Sequence, residues 1–320
     1  MGETRRVIER ETTPEPVGGD DPPAAGTPGA RAATSAALRE LAVRPSKGMG
    51  QNFLTDRRIV ARIADAAELA PGATVVEVGP GLGVLTAELL ARVGPAGRVI
   101  AVELDRRLAA HLRDDLVPEH PAGAALEVVE ADVLRRPPPA LVPGDAPYAL
   151  VANLPYNITS AILRHFLDSP RRPARLVVMV QREVAERIVA RPPAMSILAV
   201  AVQFYGAARI GLHVGRGAFL PRPKVDSAVV RVDTRPRPPL PEEEIPPFFT
   251  LVGAGFGQRR KQLLNSLAAG LDLPKPALGA ALVAAGIAPD RRAETLAVED
   301  WLALYARLRP QLPSPPSAAS

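Results

Sequence analysis

The chain contains no cysteine in 320 residues. This excludes a disulfide framework, a thiolate metal site and a cysteine nucleophile. Only 4 histidines occur, which leaves little for a histidine metal cluster, so no metal is expected. Aromatic residues are scarce at 4%, with a single tryptophan. The longest apolar runs are broken by Gly, Pro or charge well before the ~18 residues a membrane span needs. The opening stretch MGETRRVIERETTPEP lacks the apolar core of a signal peptide. A soluble, cytoplasmic protein with no membrane partner is therefore expected. What the chain does have is 36 prolines, 25 glycines and a formal net charge of +5. The length allows one large or two ordinary domains, and the basic balance is a weak pointer to a polyanionic partner.

Residues 1–45 are rich in Glu, Arg, Pro, Gly, Ala and Thr and read as a disordered extension, with one Ala-rich run, Arg31 to Val43, able to form a short helix. Residues 310–320 read as a frayed tail, and residues 236–247 as a Pro-rich linker. Between them the pattern alternates. Short β-branched runs at Thr74–Val78, Arg98–Val102, Leu126–Val129, Tyr148–Ala152 and Leu176–Val180 are separated by stretches of helical spacing. This predicts an α/β domain over residues 46–235, with a mainly parallel, Rossmann-like sheet covered by helices on both faces. Its ligands belong at the carboxyl ends of the strands. Residues 248–309 carry helical patterns only and predict a small helical domain.

Gly79-Pro80-Gly81-Leu82-Gly83 closes the first of these strands and opens a helix. A dinucleotide fold wants Gly-x-Gly-x-x-Gly, and Pro80 removes one backbone donor from any pyrophosphate cradle. Glu103 ends the next strand, where a carboxylate accepts from ribose hydroxyls. Asp132 ends the third, placed to accept from an adenine amine. Together Gly79, Gly81, Glu103 and Asp132 suit S-adenosylmethionine, a nucleoside without phosphates, in a class I methyltransferase. After the fourth strand comes Asn153-Leu154-Pro155-Tyr156. The N6 amine of adenine is a poor nucleophile because its lone pair is delocalised into the ring. The Asn153 side-chain oxygen and the Leu154 carbonyl can take its two protons and aim the lone pair at a methyl group, while Tyr156 offers a stacking face for a flipped base. Such chemistry rests on positioning and desolvation.

These residues, in this order, resemble the KsgA/RsmA family, the ribosomal RNA small subunit adenine dimethyltransferases. The resemblance runs from about Pro45 to Leu308, through GQNFL (50–54), EVGPGLGVLT (77–86), VELD (102–105), NLPYNITS (153–160), FLPRPKVDSAVV (219–230) and FGQRRKQLLNSL (256–267). It implies that Asn52 and Leu54 close over the methionine end of the cofactor, that Asn153 is both cofactor contact and catalytic residue, and that Tyr156 and Phe219 sandwich the target adenine. It also implies dimethylation of two adjacent adenines in the 3′-terminal hairpin of 16S rRNA, within the assembling 30S subunit. Arg259, Arg260 and Lys261, expected on a helix, and Lys224, near Phe219, are the candidate RNA contacts. The Arg-rich stretch from Arg164 to Arg191 is a second candidate. One departure stands out. Where the family has Tyr-Gly-Xaa-Leu-Ser, this chain reads Pro193-Ala194-Met195-Ser196-Ile197-Leu198, which places a change in a loop or strand near the RNA. A monomer is expected. The rival readings are the macrolide-resistance class, which methylates 23S rRNA, and a non-catalytic RNA-binding factor on the same fold.

Overall fold

The computed structural model describes residues 28–45, 50–258 and 260–312. The expected disorder of residues 1–27, the end of the expected tail and the candidate Arg259 lie outside the described residues. The strands begin with β1 (Phe53–Leu54) and continue with β2 (Thr74–Val78), β3 (Arg98–Glu103), β4 (Leu126–Glu130) and β5 (Tyr148–Asn153). They end with β6 (Arg175–Gln181), β7 (Gly206–Val214), β8 (Phe219–Leu220) and β9 (Ser227–Thr234). Seven strands form one sheet in the order β4-β3-β2-β5-β6-β9-β7. The five from β4 to β6 run parallel, while β9 and β7 join antiparallel.

The parallel strands match the five apolar runs because helices cover both faces, which makes such strands continuously apolar. Val75, Val76, Val99 and Ile100 are completely buried. The antiparallel pair was not anticipated. Strand β7 alternates half-buried and exposed positions between its buried ends and carries Arg209 and His213, as an edge strand does. The helix Arg57–Ala67 shows how the local sequence sets an element. Asp56 caps it by accepting from the Arg58 amide at 3.0 Å. Ile59, Val60, Ile63, Ala64 and Ala67 form one buried face.

One side of the sheet packs Ile63, Leu89 and Leu90 over Val75, Val99, Val151 and Val177. On the other side, the cluster around Ile100, Leu150, Phe166, Val178 and Phe204 runs without a break into Phe248, Trp301 and Leu304 of the C-terminal helices. Residues 236–247, read as a linker, end in an ordered turn. Both carboxylate oxygens of Glu242 accept from the Arg172 guanidinium at 2.7 and 2.8 Å, and the next helix begins at Ile245.

The disorder expected over residues 1–45 does not extend to its second half. Pro28–Glu40 is a helix, as the Ala-rich run allowed, because Leu38 and Val43 find a buried seat beside Leu108.

Gly83 opens the helix Val84–Val93 with φ of +76°, and a Cβ there would lie 2.7 Å from Leu112 and 2.9 Å from Leu116. Gly83→Ala is expected to cost about 1–3 kcal/mol through backbone strain and overpacking. Urea unfolding of the two proteins checks it.

Candidate active site

The carboxyl ends of β2, β3, β4 and β5 converge on a cavity of about 310 Å³. Its walls are the segments 50–54, 77–82, 102–105, 131–134 and 153–158, with Val84, Leu85 and Leu108. The charged residues lining it are Glu77, Glu103, Asp105 and Asp132, with no lysine or arginine among the described residues.

Glu103 is held by the turn it faces. Its Oε2 accepts from the Gly81 amide at 3.1 Å, and its Oε1 from the Asp105 amide at 2.9 Å. Burial raises its pKa, and these backbone donors oppose the rise. Gly79 and Gly81 adopt φ of +66° and +60°, and a Cβ on Gly81 would touch the Phe53 ring at 3.1 Å. Asp132 is more open, with its side chain 39% exposed. Its Oδ1 accepts from the Leu134 amide at 3.0 Å, and Arg135 lies 3.6 Å from its other oxygen.

Asn153 ends β5 and donates through Nδ2 to the Asn52 carbonyl at 3.0 Å. That bond commits the nitrogen side of the amide to the segment entering β1 and turns Oδ1 the other way. The Leu154 side chain is buried, and its amide donates to the Met179 carbonyl at 3.1 Å. The turn is therefore fixed against β6. Tyr156 lines the cavity, and its hydroxyl shares a 2.6 Å hydrogen bond with Ser227 Oγ at the start of β9. Burial pushes this phenol above its usual pKa. Asn52 and Leu54 also line the cavity.

Phe219 departs from its expected place. It is completely buried, sits in the cluster with Leu54 and Val229, and is absent from the cavity wall. The pairing of β8 with β1, Leu54 opposite Phe219, turns the ring into the core. Lys224 is exposed in the loop between β8 and β9. Arg260 and Lys261 are exposed too, but on a turn between the helices Ile245–Phe256 and Leu263–Gly270, not on a helix. The Lys261 amide donates to the Gln258 carbonyl at 3.0 Å, which closes that turn.

Within the Arg-rich stretch, Arg164 and Arg182 pair one turn away with Asp168 and Glu186, and three members are committed to more distant partners. Arg171 donates to the Val142 and Ala146 carbonyls, Arg172 binds Glu242, and Arg175 binds Asp233 at 2.6 Å and Glu68 at 2.9 Å. The segment lacking Tyr-Gly docks on the C-terminal helices, since the Met195 amide donates to the Glu294 carbonyl at 2.9 Å. Ser196 caps the following helix by accepting from Ala199.

Two site residues escaped the sequence reading. Ser227 could not be found from spacing, because its partner Tyr156 lies 71 residues away. Glu77 is the other. It is 1% exposed and accepts from Thr86 Oγ1 at 2.6 Å. Burial pushes its carboxyl from 4.5 up to about 8, against the lowering effect of the Thr86 bond and with a smaller push from Glu103. A carboxyl whose folded pKa is raised binds a proton in the folded state that the unfolded state has released. Stability therefore falls as pH rises from about 4.5 to about 8. Glu77→Gln, uncharged at every pH, is expected to flatten that decline. Melting temperatures between pH 5 and 9 check it.

Comparison with known proteins shows which family the chain is similar to. A family model described as ribosomal RNA adenine dimethylase matches residues 44–309. The chain is 45% identical over 278 residues to the ribosomal RNA small subunit methyltransferase A of Dehalococcoides mccartyi strain 195, covering 87% of this chain and 93% of that protein. It is 46% identical over 285 residues to the protein of that name from Moorella thermoacetica, covering 86% and 96%. Among solved structures, the 23S rRNA methyltransferase ErmE superposes with a TM-score of 0.63 at 35% identity, over 81% of this chain and all of that one (100%). A dimethyladenosine transferase from Plasmodium falciparum shares the fold, with a TM-score of 0.67 at 24% identity over 81% and 98%.

Proposed function

Because the chain belongs to the ribosomal RNA adenine dimethylase family, we propose that it methylates N6 of two adjacent adenines in the 3′-terminal hairpin of 16S rRNA, using S-adenosylmethionine. We place it in the cytoplasm as a monomer acting on the assembling small subunit. No helix among the described residues is long and apolar enough to cross a membrane, and no group of His, Cys, Asp and Glu among them could hold a metal.

The observation that carries the reading is a nucleoside-sized, largely apolar cavity whose charged lining groups, among the described residues, are all carboxylates, and which Asn153–Tyr156 close. Phosphates are repelled there, while a cation is welcome. S-adenosylmethionine fits that donor set and supplies an electrophilic methyl group on a sulfonium. Glu103, already gripped by the Gly81 and Asp105 amides, retains acceptor capacity for ribose hydroxyls. Asp132 is placed for an adenine amine, and Asn52 and Leu54 for the methionine end. On the target side, Asn153 Oδ1 and the Leu154 carbonyl accept the two N6 protons and pull the nitrogen toward tetrahedral geometry. Tyr156 stacks on the base, its ring held in plane by Ser227. Arg260, Lys261 and Lys224, exposed outside the cavity, are suited to phosphates of the RNA.

The test is methyl transfer from labelled S-adenosylmethionine to undermethylated 30S particles and, separately, to protein-free 23S rRNA, with mass spectrometry of the digested RNA. Dimethyladenosine in the 16S hairpin is the expected product. Label in 23S rRNA would move the assignment to the resistance class. Cofactor binding without label in either RNA would favour the non-catalytic reading.

A further inference from the structure

The helix Pro28–Glu40 lies outside the stretch that matches the family model. It nevertheless touches both sides of the cavity. Near its start, Arg31 Nη1 donates to the Gly217 carbonyl at 3.0 Å, on the turn that leads into β8. Just past its end, the Ala42 carbonyl accepts from Arg107 Nη1 at 2.5 Å, on the helix that follows β3. Thirteen residues of helix span about 20 Å, so this element ties the turn before β8 to the helix after β3.

Leu38, between the two anchors, and Val43, next to the second, are buried against Leu108, with Phe53 and Leu82 packed onto the same cluster. Phe53, Leu82 and Leu108 each line the cavity on their other side. The first of these needs outside support. Strand β1 has two residues and pairs only with the two-residue β8, a ribbon too short to hold itself in water. Yet Phe53 rests on Gly81, whose amide grips Glu103.

We propose that Leu38, Val43 and Arg31 are positioning residues for the cofactor half of the reaction. The helix that carries Arg31 and Leu38, with Val43 just past its end, acts as a brace that fixes Phe53 and Leu108 from behind and so fixes the Gly81–Glu103 contact. This rests on the reading of the cavity as the S-adenosylmethionine site.

The test uses the full chain with Leu38→Ala, Arg31→Ala and the conservative Leu38→Met. Hydrogen–deuterium exchange is expected to quicken at least fivefold in peptides covering 50–56 and 79–83 of Leu38→Ala, with the peptide over 148–153 unchanged. The KM for S-adenosylmethionine, and the calorimetric Kd for S-adenosylhomocysteine, are expected to rise about tenfold. The kcat and the KM for RNA stay within twofold, and Leu38→Met restores the wild-type values. Unchanged exchange with a cofactor Kd within twofold of wild type would overturn the proposal. So would a parallel loss of every parameter, the mark of simple unfolding, in both Leu38→Ala and Arg31→Ala; if only Leu38→Ala unfolds, Arg31→Ala decides. Failure of the wild type to bind S-adenosylhomocysteine would instead overturn the cofactor reading, and the exchange pattern would still report on the brace.

Discussion

Replacing Asn153 by alanine is expected to lower kcat by about 10²–10³-fold, the loss seen when one preorganised polar contact to a reacting centre is removed. The Kd for S-adenosylhomocysteine should change less than tenfold. The side chain does two things at once. Its nitrogen ties the Asn52 carbonyl, and its oxygen is thereby left for the proposed contact with the substrate amine. Alanine removes both, so the variant also loosens the segment before β1. Asn153→Asp separates the two effects. It keeps an acceptor but cannot donate to Asn52, so its residual rate reports the acceptor alone. Single-turnover methylation of the RNA substrate, with calorimetry of the cofactor product, measures both quantities. Full methylation by Asn153→Ala would remove the residue from the chemistry.

Trp301→Ala is expected to destabilise the protein by about 3–5 kcal/mol, the cost of deleting a large buried aromatic. Trp301 is completely buried. Its ring is stacked at a tilt on Phe256, with centroids 5.7 Å apart, and a Cβ on Gly255 would come within 2.3 Å of it. The packing is thus already tight from the facing helix. Its indole Nε1 is buried with no hydrogen-bond partner. Trp301→Phe removes that desolvated donor along with some volume, so it should cost far less, on the order of 1 kcal/mol. Because Trp301 shares a continuous cluster with Phe204 and Val178, the loss should appear as one lowered transition rather than as melting of the helices alone. Chemical denaturation followed by tryptophan-independent far-UV circular dichroism reads both variants.

The sequence announced the parts of this molecule that local physics dictates. Four of the parallel strands are buried and had to be apolar runs, edge strand β4 is half-exposed, and the polar residues at or just past the ends of β3, β4 and β5 line the cavity. Asn153, Glu103 and Asp132 stood out for that reason. What stayed hidden depends on distant pairing. Strand β9 was visible only as the tail of a motif, because nothing local says that SAVVRVDT reverses direction beside β6. Phe219 was expected against the target adenine only because the family resemblance implied it. Its partner in β1 is Leu54, and that pairing decides which way the ring faces. Glu77 was hidden for a different reason. A glutamate before a glycine turn reads as solvated until Thr86, one turn into the next helix, is seen to cover it.

The carboxylate wall also sets what the protein ignores. ATP and the dinucleotides share the adenosine half of the proposed cofactor and are abundant in any cell. At pH 7 Glu77 holds its proton, and the other acidic groups on the wall are Glu103, Asp105 and Asp132. A phosphate about 6 Å from one such carboxylate meets roughly 3 kcal/mol of repulsion at an effective dielectric of about 20. With no arginine or lysine on the described wall to offset it, the energy currency of the cell is turned away at the entrance. Methylation would then track the supply of methyl donor and be insulated from swings in nucleotide levels.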